Sequence, residues 1–423
     1  MFLQFQTEEK KIIGILCEYY RSLKFKENHS MSSPWRIENF LQDSFGVMVC
    51  SKRTYGRIVK GEIIADESIY EYLLKKFDRS FLWLTNLNED IENMMKVFEE
   101  MIFKCNYEQA QSVLRRVEAV LINYTEEFYY EEIKLLIKDI RNYYLYDKYF
   151  DMRTKRKYER ILYCFPTILQ VLIKNMLFSY VVYYKPDFKR MNLYVEKWQM
   201  KKDTNIQIQI NYFLAQKYNR EALEAYHGFE IIRNELFNHK NYGRFLIVTN
   251  YQANVANVIS PTRVRELEFE MLKVIKKYRD ILPSKLISGY YYMVGMRNLD
   301  RKELETASDC FFQSLHYGQI NRAKEINIYL AYICARKNIE YQFNTSLEYD
   351  LNTAIGKFYN YFILKDKGAN VNELENYICK IIYPSLTSME LYFFEVYEYE
   401  LEKLVEKSRN YKKLANFKMA KVA

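Results

Sequence analysis

Glycine and proline are scarce, at 11 and 6 among 423 residues, and no glycine occurs between Gly61 and Gly228. That span lacks the turn residues that strand–turn–strand folds and phosphate-cradling loops require. Neither a G-x-G-x-x-G nor a Walker pattern occurs. Histidine is as sparse: His29, His227, His239 and His316 stand in no H-E-x-x-H or Cys-His spacing. Neither a zinc enzyme nor a nucleophile–base pair is expected, and no cofactor. The seven cysteines are odd in number, widely scattered and never in a C-x-x-C pair. They argue against a disulfide framework or zinc site and for a reducing, cytoplasmic setting. The opening "MFLQFQTEEKK" has acids where an export signal needs an apolar core behind basic residues. No such signal is expected.

What is present reads as a folded helical chain, since 49% of residues are hydrophobic and 28% charged. Such a length allows two to four compact units. The net charge of +9 is spread over 63 basic and 54 acidic residues; it gives only a mild preference for anionic partners, and local patterning has to decide. The most apolar segment, Ile161 to Tyr184, is long enough for a bilayer. Pro166, Gln170, Lys174 and Asn175 interrupt it, so a buried helix is expected there and no membrane span.

Residues 1–80 read as a helix-turn-helix unit. In the first helix Ile12, Ile13, Leu16, Tyr19, Tyr20 and Leu23 recur at spacings of three and four, one apolar stripe. Ser33 and Pro34 predict the start of a second helix and Gly46 its end. A third, "SKRTYGRIVK", takes Ser51 as its cap and Gly61 as its stop, with Ile58 turned inward. A fourth packs Ile69, Leu73, Leu74 and Phe77. The third helix stands where a recognition helix enters the major groove of double-stranded DNA. Lys52 and Arg53 would meet base edges or phosphates, Thr54 or Tyr55 a thymine methyl or phosphate, Arg57 a guanine, and Lys60 a phosphate. Useful specificity asks for two half-sites, hence a homodimer.

Residues 81–423 read as helix pairs. In "GYYYMVGMRNLDRKELETASDCFFQSLHYG", Gly295, Ala307 and Phe311 fall near the small, small and aromatic positions of tetratricopeptide repeats of about 34 residues. Stacked pairs of this kind predict a right-handed superhelix whose first helices line a groove. In "TNYQANVANV", Asn250, Asn254 and Asn257 lie at i, i+4 and i+7 on one helix face, where amide side chains can bond the backbone of an extended peptide.

"CSKRTYGRIVKG" resembles the Xre-type helix-turn-helix signature in its serine cap, its Arg57-Ile58 pair and its closing Gly61. Followed by degenerate tetratricopeptide repeats, it is similar to the RRNPP group of peptide-pheromone receptors, which includes the Rgg, PlcR, PrgX and NprR regulators. The likeness spans nearly the whole chain in architecture and Cys50 to Gly61 in motif. It departs from the pattern in a longer turn between Gly46 and Ser51 and in Gly56 within the third helix. The resemblance implies an all-α, non-enzymatic, cytoplasmic transcriptional regulator that binds DNA as a homodimer and is controlled by a short signalling peptide. It also implies asparagines on inner helices as peptide ligands: Asn250, Asn254 and Asn257, with Asn211 and Asn327 behind them.

Two alternatives stand beside it. "RNELFNH" matches the R-N-x-x-x-x-H pattern of HEPN ribonucleases, with Arg233 and His239 as the reacting pair. The repeats could instead be a scaffold for a protein partner, with the N-terminal helices as their cap.

Overall fold

A computed structural model describes residues 5–28, 30, 32–124, 126–318, 320–342, 347–386, 391–412 and 414–415. Among them the protein is all-α, with isolated bridges at Gln42–Met48 and Ser80–Glu127 as its only strand-like pairings. The chain forms two compact units, Met1–Leu267 and Glu268–Ala423.

The first unit opens with α1 (Thr7–Glu27), α2 (Ile37–Phe40), α3 (Lys52–Val59) and α4 (Ser68–Lys75). In α1 a capping box joins Gln6 and Glu9, acids stand in the first turn and lysines in the last, and Ile12, Ile13, Leu16 and Tyr19 form the buried stripe. The second helix differs from expectation. Ser33 Oγ accepts from the Trp35 amide (3.4 Å) instead of capping a helix at Pro34, and α2 is a single turn. Asp43 then intervenes: its amide donates to the Val47 carbonyl (2.9 Å), and the Val49 amide donates to that of Leu41 (2.9 Å). Residues 41–49 are thereby a tight hairpin, which accounts for the extra length before Ser51.

The unit continues with α5 (Thr85–Phe103), α6 (Tyr107–Leu121), α7 (Phe128–Tyr146), α8 (Met152–Ile161), α9 (Thr167–Ser179), α10 (Phe188–Lys197), α11 (Ile206–Tyr218), α12 (Ala222–Asn238) and α13 (Tyr242–Ile259). Successive helices pack as pairs, α5 on α6, α11 on α12 and α12 on α13, while α5, α9, α11 and α13 adjoin in sequence. Helix α9 buries Leu169, Leu172, Ile173, Met176, Leu177 and Phe178. No helix among the described residues is long and apolar enough to cross a membrane. The N-terminal helices belong to this unit. Helix α1 packs on α8, and the Tyr20 hydroxyl donates to Glu132 of α7, whose buried carboxylate also pairs with Lys157 of α8 (2.6 Å).

Helix α14 (Pro261–Tyr278) leads into the second unit, with α15 (Ser284–Asp300), α16 (Leu304–His316), α17 (Ile320–Arg336), α18 (Ala354–Asp366), α19 (Val371–Tyr377) and α20 (Leu391–Ser408). Gly295 and Phe311 meet where α15 and α16 pack. Ala307 and Phe311 are fully buried, and a Cβ on Gly295 would lie 2.8 Å from Phe311 Cε1. Phe311, Tyr329, Phe393 and Phe358 carry this packing into one aromatic core, with successive ring centroids 5.5–5.6 Å apart.

Candidate functional site

Helix α3 is a rod with two unlike faces. Ser51 Oγ accepts from the Thr54 amide (3.0 Å), satisfying one of the free donors of the first turn. Thr54 Oγ1 lies 2.9 Å from the same oxygen, so both hydroxyls serve the cap rather than a ligand. Gly61, at φ +82°, closes the far end. Tyr55 and Ile58, three positions apart, are both buried and form the inner face. Ile58 approaches α1 so closely that a Cβ on Gly14 would stand 2.7 Å from its Cγ2 and 2.8 Å from its carbonyl oxygen.

Tyr55 corrects an expectation. Its hydroxyl donates to Glu18 Oε2 (2.8 Å), and that carboxylate also receives Arg21 Nε and Nη2, each at 2.7 Å. Burial, then the Glu18 charge, pushes the hydroxyl far above its ordinary range. It holds the fold and is not offered to a base.

Lys52, Arg53, Arg57 and Lys60 are exposed on the outer face. Lys52 Nζ meets Glu38 Oε1 at 2.5 Å, and Arg57 Nε meets Glu62 Oε2 at 2.6 Å. The hydrogen bond from Lys52 holds the Glu38 carboxyl down at about 2. Solvent-exposed pairs contribute about 0–1 kcal/mol, so a phosphate can take the place of either carboxylate. Among the described residues no hydrogen bond or ion pair holds Arg53.

Comparison with protein-family models, curated proteins and solved structures finds no match. The site must be read from its own chemistry.

A second candidate lies within the first unit. A narrow cleft, with room for about one water-sized group, is walled by Glu99 and Phe103 of α5, Tyr144 of α7, Asn175 of α9, Gln207 of α11 and Arg244 of α13. Asn175 Nδ2 donates to the Tyr144 hydroxyl (2.8 Å), and its Oδ1 accepts from Asn211 Nδ2 (2.9 Å) and Gln207 Nε2 (3.4 Å). Arg244 donates to the carbonyls of Ile102 (2.8 Å) and Phe103 (3.2 Å), where a cation suits the negative end of α5. Beside Tyr144, with ring centroids 4.7 Å apart, stands Tyr143. Tyr183, on the turn that follows α9, keeps 42% of its surface open to solvent.

The asparagines expected to hold a peptide divide. Asn211 is buried and spent on Asn175, so it supports the cleft from behind. Asn327, in the second unit, is buried between the hydroxyls of Tyr349 (3.1 Å) and Tyr341 (2.7 Å) and faces no ligand. Asn250 and Asn254 are half-buried with partners of their own, and Asn257 is exposed; all three lie on α13, the helix that carries Arg244. Asn175, Gln207, Arg244 and the tyrosines went unmarked in the sequence. The runs "NYYLY" and "YVVYY" were the available signal.

The two residues of the ribonuclease pattern stand in unlike settings. Arg233 is buried, whereas His239 is exposed at the end of α12, its Nδ1 2.9 Å from the Glu235 carbonyl oxygen. Among the described residues no three His, Cys, Asp or Glu side chains are grouped to hold a metal ion.

Proposed function

We propose that the protein is a DNA-binding transcriptional regulator, acting as a homodimer, whose repeat helices take up a short extended peptide. The observation that carries this reading is the division of α3. Its inner face is fixed on α1 through Tyr55 and Ile58, while four cations project outward with no buried partner. A helix held from behind can lie in a major groove, where guanidinium groups reach guanine edges and ammonium groups phosphates. The single turn of α2 makes the preceding element shorter than a usual helix-turn-helix partner, and the 41–49 hairpin occupies the place of the turn.

The cleft supports the peptide half of the reading. The Gln207 amide, held only by its 3.4 Å contact to Asn175, can turn to an extended backbone, the remaining Arg244 nitrogen can receive a carboxylate, and tyrosine rings can flank side chains, while Asn175 orients the wall through Tyr144 and Asn211. A ligand that bridges α5, α9, α11 and α13 would favour one arrangement of those helices and so bias the DNA-binding heads. A scaffold role would use the same cleft for a segment of a partner protein but would leave α3 idle.

Selection from a random-sequence duplex pool tests the reading. The wild-type chain should enrich a sequence with two related half-sites, and Arg53→Ala/Arg57→Ala should lose that binding with its helical content intact. Failure of the wild-type chain to retain any duplex at low salt sinks the proposal.

A further inference from the structure

The 41–49 hairpin presents an apolar tip that nothing in the first unit covers. Phe45 is 89% exposed, Val47 62% and Met48 42%. The tip is held out by construction. Asp43 Oδ1 accepts from the amides of Phe45 (2.8 Å) and Val47 (2.9 Å), and Gly46 takes φ +79°, which a side chain there would oppose. At the base, the Tyr72 hydroxyl and Lys76 Nζ from α4 both donate to the Gln42 carbonyl, at 2.5 and 2.9 Å. A loop so held keeps a phenylalanine in water at the expense of its burial, which points to an occupant.

We propose that Phe45 is a wedge that enters a base step of duplex DNA beside the groove occupied by α3. This rests on the DNA-binding reading above and adds deformation of the duplex to it. Charge complementarity selects DNA as the occupant: Lys52, Arg53, Arg57 and Lys60 follow the tip in sequence, and no acidic residue intervenes between Asp43 and Glu62. Ser51 lies six positions beyond Phe45, a reach of at most about 22 Å, so tip and helix fall within one turn of a duplex. Apolar side chains inserted from the minor groove unstack a step and bend the helix, most readily at flexible pyrimidine–purine steps such as TA and CA/TG. The hairpin would supply specificity at a position that no cation touches.

Phe45→Ser and Arg53→Ala are compared with the wild-type chain on duplexes enriched from a random pool, with end-to-end energy transfer reporting the bend. Phe45→Ser should weaken binding at least about tenfold, abolish the bend and leave the salt slope unchanged, because no phosphate contact is lost. Its unfolding midpoint should match the wild type, since the ring touches solvent. Arg53→Ala should lower the slope instead. Duplex binding that is sensitive to Arg53 yet indifferent to Phe45 overturns the wedge alone; no duplex binding by the wild-type chain overturns the wedge together with the reading beneath it. Loss of Phe45→Ser from phosphatidylserine vesicles, with duplex binding unaffected, also overturns it and assigns the tip to a lipid surface.

Discussion

Gly14→Ala tests how tightly α3 is seated. In an isolated helix the change is favourable by about 1 kcal/mol, because alanine restricts the unfolded chain and suits the helix. Here the new methyl would stand 2.7 Å from Ile58 Cγ2, 2.8 Å from the Ile58 carbonyl oxygen and 3.3 Å from its carbonyl carbon. Overpacking of this kind costs about 1–3 kcal/mol, so a net loss of about 0–2 kcal/mol is expected. Two of the three contacts are backbone, and rotating a side chain cannot relieve them; α3 itself must shift. Of these three contacts Ile58→Ala removes only the one to Cγ2, and it costs about 2–5 kcal/mol by itself. In that background Gly14→Ala should therefore still destabilise, at a reduced cost. Urea unfolding of the four proteins at unchanged slope provides the measurement. Displacing α3 should also lower duplex affinity. A Gly14→Ala protein more stable than wild type by about 1 kcal/mol would refute the close approach and, with it, the account of how α3 is held.

Removing the carboxylates that compete for the outer face should strengthen DNA binding: Glu62→Gln frees Arg57, and Glu38→Gln frees Lys52. Each should raise duplex affinity a few-fold and steepen the fall of log affinity with log salt, read by titration at several salt concentrations. Tyr55→Phe should leave that slope unchanged while costing about 1–3 kcal/mol in unfolding free energy, since it removes a donor to the Glu18 carboxylate. Asp151 caps α8 by accepting from the Thr154 amide (2.7 Å), and that bond holds its carboxyl below the ordinary range. A depressed carboxyl contributes stability above its unfolded pKa of about 3.9 and loses it as pH falls through the folded value. Asp151→Ala should thus cost about 0.5–2 kcal/mol at neutral pH and less in acid, by urea midpoints across pH.

Punctuation was legible in the sequence where chemistry is local. Ser51 caps and Gly61 stops α3 as the pattern predicts, and the small residue Gly295 lies against the aromatic Phe311. The second helix was not legible. Ser33-Pro34 reads as a helix start, but the Ser33 side chain bonds only two residues ahead, and Asp43 turns the chain before a second turn forms. The burial of Tyr55 could have been inferred, since Ile58 three positions on fixes the inner face. The fate of the asparagines could not. An amide on an inner helix looks the same whether it meets a ligand or another amide, and only the fold reveals that Asn211 turns to Asn175 and Asn327 to two tyrosines. The cleft draws on five helices spread over 146 positions from Glu99 to Arg244, a separation that no local pattern spans.

The carboxylate of Glu132, shared by Tyr20 and Lys157, ties the first helix to two that come more than a hundred residues later. Cutting the chain at residue 80 would therefore not release a self-sufficient domain. It would strand a tyrosine without its acceptor and uncover the flank of α1 that rests on α8, leaving a fragment prone to clump. The same junction sets α7 and α8 directly against the helix that seats α3, with no linker between them.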